Sequence, residues 1–228
     1  MNQNKSKYYI CAIAKDEQLY LYDWVKYHVD KGINHIVIYN NGFSDYYIPG
    51  IEQYVEFIPW HPKSSKVNPQ IAAYNDFLDK HSSNDIAFFI DVDEYIFGNL
   101  PKHGNIALED VTYDANGKLF YENRPVYERF PREAVLNMTC NIKTVVDLSN
   151  PGRFMSCHRT NAELKTVDGD IVLEHCILAK TSRTTYLRHY LTKSLEEYLQ
   201  KLKRGNITKG LRTFDYFFKV NPDMLPKL

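Results

Sequence analysis

Three carboxylates crowd into four positions at Asp91, Asp93 and Glu94, immediately after the uninterrupted apolar run Ile86 to Ile90 in "IAFFIDVDEYIF". An apolar run of that kind is a strand covered on both faces, and a covered strand cannot hold bare carboxylates without a large desolvation cost. The acids therefore belong at the strand's carboxyl end, where it opens into a crevice. On an extended backbone Asp91 and Asp93, two apart, leave the same face. Two carboxylates on one face call for a cation, and a hard divalent ion such as Mg²⁺ or Mn²⁺ bound together with substrate phosphates meets that need. The bland alternative is a pair of solvated acids capping the next element.

A second group lies far along the chain. Lys193 precedes Ser194-Leu195-Glu196-Glu197, a capping box that opens a helix, and a helix N-terminus beside a lysine is a site for anionic oxygens such as those of a diphosphate. His189 stands just upstream as a third ligand for Mn²⁺, with His158 and His175 competing for the role. A packed or surface histidine and an ordinary surface lysine are the alternatives at these positions.

The elements that must position these groups read as alternating strands and helices. Tyr8 to Ala14 is a buried strand ending at Lys15-Asp16-Glu17. Leu21, Val25 and Val29 keep a helical stripe that Gly32 terminates. His35 to Tyr39 is a second strand, broken at Asn40-Asn41-Gly42. Val55 begins a third, Gln70 to Lys80 is a helix, and Ile86 to Ile90 follows. Such alternation predicts a mostly parallel, Rossmann-like α/β sheet flanked by helices, with its ligand crevice beyond the strands' carboxyl ends. After about Leu100, prolines and glycines interrupt short apolar pieces, and irregular strands and loops are expected until the capped helix.

Composition narrows the function. The chain has 228 residues, with 28 Lys plus Arg against 28 Asp plus Glu, so no net field exists to hold nucleic acid. Four scattered cysteines without a C-x-x-C pair argue against a zinc knuckle and for a reducing compartment. The short polar start "MNQNKSK" carries neither a signal peptide's apolar core nor a membrane span, which points to the cytoplasm. The 18 Tyr and 12 Phe suit sugar or protein partners as well as packing.

Together "AIAKDEQLYLYDWVKYHVDKGINHIVIYNNGFSD", "QIAAYND", "FFIDVDEYIF" and "HYLTKSLEEYLQKLKRG" resemble the glycosyltransferase family 2 type of GT-A enzyme, and within it the branch related to glycosyltransferase family 92, once labelled a domain of unknown function. The resemblance spans roughly Tyr8 to Gly205. It implies a metal-dependent transfer of a sugar, with inversion, from a nucleotide donor such as a UDP-hexose to a saccharide or lipid-linked acceptor in bacterial surface polysaccharide or lipo-oligosaccharide synthesis. By position, Asp93 becomes the direct metal ligand, and Asp91 the ligand of the donor ribose or of a metal-bound water. Asp16 and Glu17 become base or ribose contacts, and Asn41 and Asp45 nucleotide contacts. Asn40 and Asn41 replace two acids common elsewhere in the family, so the nucleobase stays open.

A carboxylate must take the acceptor's proton. Glu94, Asp114, Glu122, Asp168 and Glu174 are all eligible, and sequence does not choose among them. The expected organisation is one GT-A-like domain, with a nucleotide-binding half over about 1–110 and an acceptor half over about 111–205. The aromatic tail 206–228, with "FDYFFKV", is open to three roles: packing on the domain, packing on a second copy in a homodimer, or peripheral contact with the inner membrane. Two other readings compete. A haloacid dehalogenase-like phosphohydrolase shares the strand-then-D-x-D pattern but places it near the start of its fold, and a non-catalytic sugar-binding module needs no metal. A nucleotidyltransferase is disfavoured by the lack of a Gly-rich loop after the first strand.

Overall fold

The computed structural model describes residues 6–42, 48–61, 68–135, 140–174, 176–177, 181–205 and 213–225. In chain order the elements are β1 (Tyr8–Ala14), α1 (Gln18–Asp30), β2 (His35–Asn40), β3 (Val55–Pro59), α2 (Pro69–Lys80), β4 (Ile86–Phe89), β5 (Glu94–Gly98), β6 (Ile106–Thr112), α3 (Val126–Arg129), β7 (Cys140–Asp147), β8 (Leu164–Lys165), β9 (Ile171–Val172), β10 (Cys176–Ile177), β11 (Thr185–His189), α4 (Leu195–Arg204) and α5 (Phe214–Val220). The main path through the sheet runs β3-β2-β1-β4-β7-β6-β11-β5.

The first four strands of that path are parallel, as the β-α-β alternation requires. Their side chains divide by parity. Ile10, Ala12 and Ala14 meet Leu21, Trp24 and Val25 of α1 on one face, while Cys11 and Ile13 meet Tyr74, Phe77 and Leu78 of α2 on the other. Both faces are covered, which is why β1 and β4 are apolar throughout and β2 is apolar between His35 and Asn40.

Beyond β4 the expectation of a mostly parallel sheet is corrected. β7 runs antiparallel to both β4 and β6, and β5 antiparallel to β11, so the whole sheet is mixed. The region expected to be irregular holds the regular strands β6, β7 and β11. They escape an apolar reading because Asp110, Lys143 and His189 occupy buried positions inside them. β5 ends the path, and α1 covers its outer edge. Trp24 Nε1 donates to the Glu94 carbonyl at 2.8 Å, Tyr27 to the Ile96 carbonyl at 2.8 Å, and His28 Nε2 accepts from the Ile96 amide at 3.3 Å. Those bonds satisfy edge groups that would otherwise template a further strand.

α4 carries the expected capping box, Ser194 with Glu197. The aromatic tail forms α5, whose Phe217 and Val220 are fully buried. Phe217 packs on Tyr198 of α4 with ring centroids 5.5 Å apart, so of the three roles open to the tail, the described residues take the packing one. Among the described residues no helix is long and apolar enough to cross a membrane.

Candidate functional site at the carboxyl end of the parallel strands

The chain reverses directly after β4. The Glu94 amide donates to the Asp91 carbonyl at 3.0 Å, and the Asp91 amide donates back to Glu94 Oε2 at 2.9 Å. Asp91 and Asp93 therefore lie in a tight turn and not on an extended strand, which corrects the shared face expected from their spacing.

The turn gives the two acids different surroundings. Asp91, a third exposed, accepts from Lys143 of β7 and from Gln70 of α2, each at 2.7 Å. Asp93 is buried. Its Oδ2 accepts from Lys201 of α4 at 2.5 Å, and its Oδ1 stands 3.5 Å from His189 Nε2. The other nitrogen of His189, Nδ1, lies 3.1 Å from Asp110 Oδ2 and 3.6 Å from Glu94 Oε1. Register explains this convergence: His189 pairs directly with Glu94 across β11 and β5, and Asp110 sits one diagonal step away on β6.

Burial would push all of these groups toward their neutral forms, and their neighbours decide otherwise. Burial works to raise Asp93, but Lys201 and His189 outweigh it and hold its carboxyl well below the usual range. Burial works to lower His189, but Asp110 and Asp93 outweigh it and push it up to about 10. For Glu94 burial prevails over Lys143, which is 3.2 Å away, and the carboxyl is pushed up to about 8. The cluster thus sets Asp91, Asp93 and Asp110 against Lys143, Lys201 and protonated His189.

Beside it the β1–α1 turn closes a small cavity of about 70 Å³ lined by Asp16, Glu17, Tyr20, Lys193, Lys201 and Arg204. Arg204 holds the turn to α4: its Nη1 donates to the carbonyls of Lys15 at 2.8 Å and Asp16 at 3.0 Å, and its Nη2 pairs with Glu17 Oε1. Asp16 takes a left-handed φ of 52°. Gly42, in the β2 turn, approaches so closely that a Cβ there would stand 2.6 Å from Asp16 Oδ1. Asn41 ties the same turn down, donating from Nδ2 to the Trp60 carbonyl at 2.7 Å.

Lys193 is 4% exposed, has a left-handed φ of 54°, and holds its ammonium 4.4 Å over the Tyr20 ring. Among the described residues no carboxylate lies within ion-pair distance of it. The amides at the start of α4 are not free for an anion, contrary to the expectation from sequence. Ser194 N donates to Glu197 Oε2, Glu197 N to Ser194 Oγ, and Leu195 N and Glu196 N to the carbonyls of Lys118 and Leu119.

The structure thus brings together Asp91, Asp93, Glu94 and His189, and places Asp16, Glu17 and Lys193 at the adjoining cavity. Glu94 is fully buried beneath the turn. Glu174 is exposed between β9 and β10, and among the described residues no hydrogen bond or ion pair joins it to the cluster. His158 gives Nδ1 to the Ile142 carbonyl at 3.0 Å. Asp45 and His175 lie outside the described residues.

Sequence reasoning missed Gln70, Asp110, Lys143 and Lys201. Three of them carry a signal in retrospect: Lys143 and Asp110 are charges at core-facing strand positions, and Lys201 falls on the buried side of α4, four residues after Glu197.

The residues present fit a divalent cation. Asp93 Oδ1 and His189 Nε2, 3.5 Å apart, offer an oxygen and a nitrogen ligand, and Glu94, Asp110 and His189 each offer a ligand atom within 4.8 Å of one another. Among curated proteins none matches the chain. The family model for glycosyltransferase family 92 matches residues 7–211. A match over most of the length, on a chain whose acidic turn and lysines meet at the carboxyl end of a parallel β-α-β array, carries the conclusion that this protein belongs to glycosyltransferase family 92.

Proposed function

We propose that the protein transfers a sugar from a nucleoside diphosphate donor, in the first instance a UDP-hexose, to a saccharide or lipid-linked acceptor, with inversion at the anomeric carbon. The observation that carries this reading is the juxtaposition of the Asp93–His189 pair with the buried ammonium groups of Lys201 and Lys193. A GT-A-like arrangement is supported by the parallel β3-β2-β1-β4 half, whose carboxyl ends open on the crevice.

Asp93 and His189 would hold a Mn²⁺ or Mg²⁺ ion, which supplies Lewis-acid stabilisation of the leaving diphosphate. The chain's own residues do the rest. Lys193, buried with no carboxylate within ion-pair distance among the described residues, binds a phosphate oxygen by a charge-assisted hydrogen bond. Lys201, held in place by Asp93, faces the negative charge that develops on the diphosphate as a preformed charge that needs no reorganisation from solvent. Lys143 and Gln70 hold Asp91 at the crevice rim for the donor ribose. Glu94 fixes the turn from below. Asp16, Glu17 and Asn41 line the nucleoside side, with Arg204 clamping it shut against α4. The setting we propose is the cytoplasm, in assembly of bacterial surface polysaccharide or lipo-oligosaccharide.

The test is product formation. Incubation with a panel of nucleotide sugars, Mn²⁺ and saccharide acceptors should release nucleoside diphosphate and add one sugar mass to an acceptor. Release of inorganic phosphate from small phosphorylated compounds, with no sugar transfer from any donor, would instead favour the phosphohydrolase alternative.

A further inference from the structure

We infer that Asp110 is a positioning residue for the cation site: by accepting from His189 Nδ1–H it turns the Nε2 lone pair toward Asp93. The inference rests on the proposed cation role of Asp93 and His189. Its geometry is independent of that role. His189 Nδ1 lies 3.1 Å from Asp110 Oδ2, and it donates there because a carboxyl oxygen of this kind accepts. With both nitrogens protonated, the proton held by the shorter contact is the one on Nδ1, and the one a cation displaces is on Nε2, 3.5 Å from Asp93 Oδ1. Carboxylates behind metal-ligating imidazoles act in this way and raise the ligand's basicity.

The fold builds the arrangement from two parallel neighbours. Leu187 pairs with Asp110 and His189 with Thr112, so Asp110 and His189 project from the same face one diagonal step apart. Asp110 is 7% exposed, and its Oδ1 has no hydrogen-bond partner among the described residues. A buried carboxylate kept half-satisfied inside a strand is costly to stability, and a role in orienting His189 accounts for its presence where an apolar residue would pack more favourably. Glu94 is the weaker candidate for this role. Its Oε1 stands farther from Nδ1, at 3.6 Å, and faces the Lys143 ammonium at 3.2 Å, while its Oε2 accepts from the Asp91 amide.

The test is calorimetric titration of Mn²⁺ into the full chain, wild type against Asp110→Asn, which keeps the shape and removes the charge. The inference predicts a dissociation constant raised about ten- to a hundred-fold, with circular dichroism unchanged. Equal affinity in the two proteins overturns it. Failure of wild type to bind Mn²⁺ overturns both the inference and the cation reading beneath it, whereas binding abolished by His189→Gln but indifferent to Asp110→Asn overturns the inference alone. Should Asp110→Asn fail to fold, ¹⁵N histidine spectra of the Mg²⁺-loaded wild type decide: His189 carrying its proton on Nδ1 supports the inference, and a proton on Nε2 refutes it. A merely structural ion pair would move neither the Mn²⁺ constant nor that signature.

Discussion

Replacing Arg129 by methionine removes the partner of a carboxylate that has nowhere else to go. Arg129, at the end of α3, donates from Nη1 and Nη2 to the two oxygens of Glu197 at 2.8 and 2.9 Å, and both side chains are 1% exposed. With the guanidinium gone, Glu197 keeps the Ser194 amide and hydroxyl and the Tyr20 hydroxyl, all of them neutral partners. Breaking a buried pair from one side costs about 3–5 kcal/mol, which at about 2–4 °C per kcal/mol for a chain of this size is roughly 6–20 °C in melting temperature. The pH dependence has a definite sign. In wild type burial works to raise the Glu197 carboxyl, but Arg129 and Ser194 outweigh it and leave it lowered. That contribution is therefore present above the unfolded value of about 4.3 and lost as pH falls through the lowered one. In Arg129→Met burial dominates, the carboxyl rises, and protonation relieves the cost. The gap between the two proteins should narrow from pH 7 to pH 5. Urea unfolding at the two pH values reads both numbers, and the double variant Arg129→Met/Glu197→Leu should recover part of the loss, short of the helix cap, worth about 1 kcal/mol. A gap under about 1 kcal/mol at pH 7, or one that widens on acidification, would refute the reasoning.

Lys193→Met keeps the stem over Tyr20 and removes one phosphate contact. Affinity for UDP should fall by the equivalent of about 1.5–3 kcal/mol, roughly 10- to 150-fold, while the melting temperature holds or rises because a buried ammonium with no carboxylate partner among the described residues is lost; an unchanged UDP dissociation constant would remove Lys193 from the site. Metal-free protein should lose stability as pH rises from about 5 to 10. His189, held up to about 10, contributes below its unfolded value of about 6.5, a contribution lost as pH passes through 10, and Glu94, held up to about 8, likewise loses its contribution as it ionises. Urea midpoints that rise across that range would show that neither shift is present.

The parallel half of the fold was legible because burial on both faces leaves only apolar residues in β1, β4 and the middle of β2, and Ser194 with Glu197 announced α4 because a capping box is a local signal. The second half hid for a physical reason. Its strands carry their charges inward, so Asp110 and Lys143 read as interruptions while they are partners of His189 and Asp91. The same long-range pairing explains the difference between Asp91 and Asp93. Their spacing implied one shared cation, but Lys143, 52 residues after Asp91, and Lys201, 108 residues after Asp93, neutralise them separately. No local pattern reports a partner so distant in the chain. Of the nucleotide-side residues, Asp16, Glu17 and Asn41 were legible as turns at the ends of β1 and β2, but the Arg204 clamp that joins them to α4 was not.

The most direct measurement is calorimetric titration of UDP into wild type and Asp93→Asn, each in Mn²⁺ and in excess chelator. Wild type should bind UDP much more tightly with Mn²⁺ than with chelator, and Asp93→Asn, still folded, should lose the difference. UDP binding that is equally tight with chelator, or a Mn²⁺ effect that survives in Asp93→Asn, would contradict the cation role of Asp93.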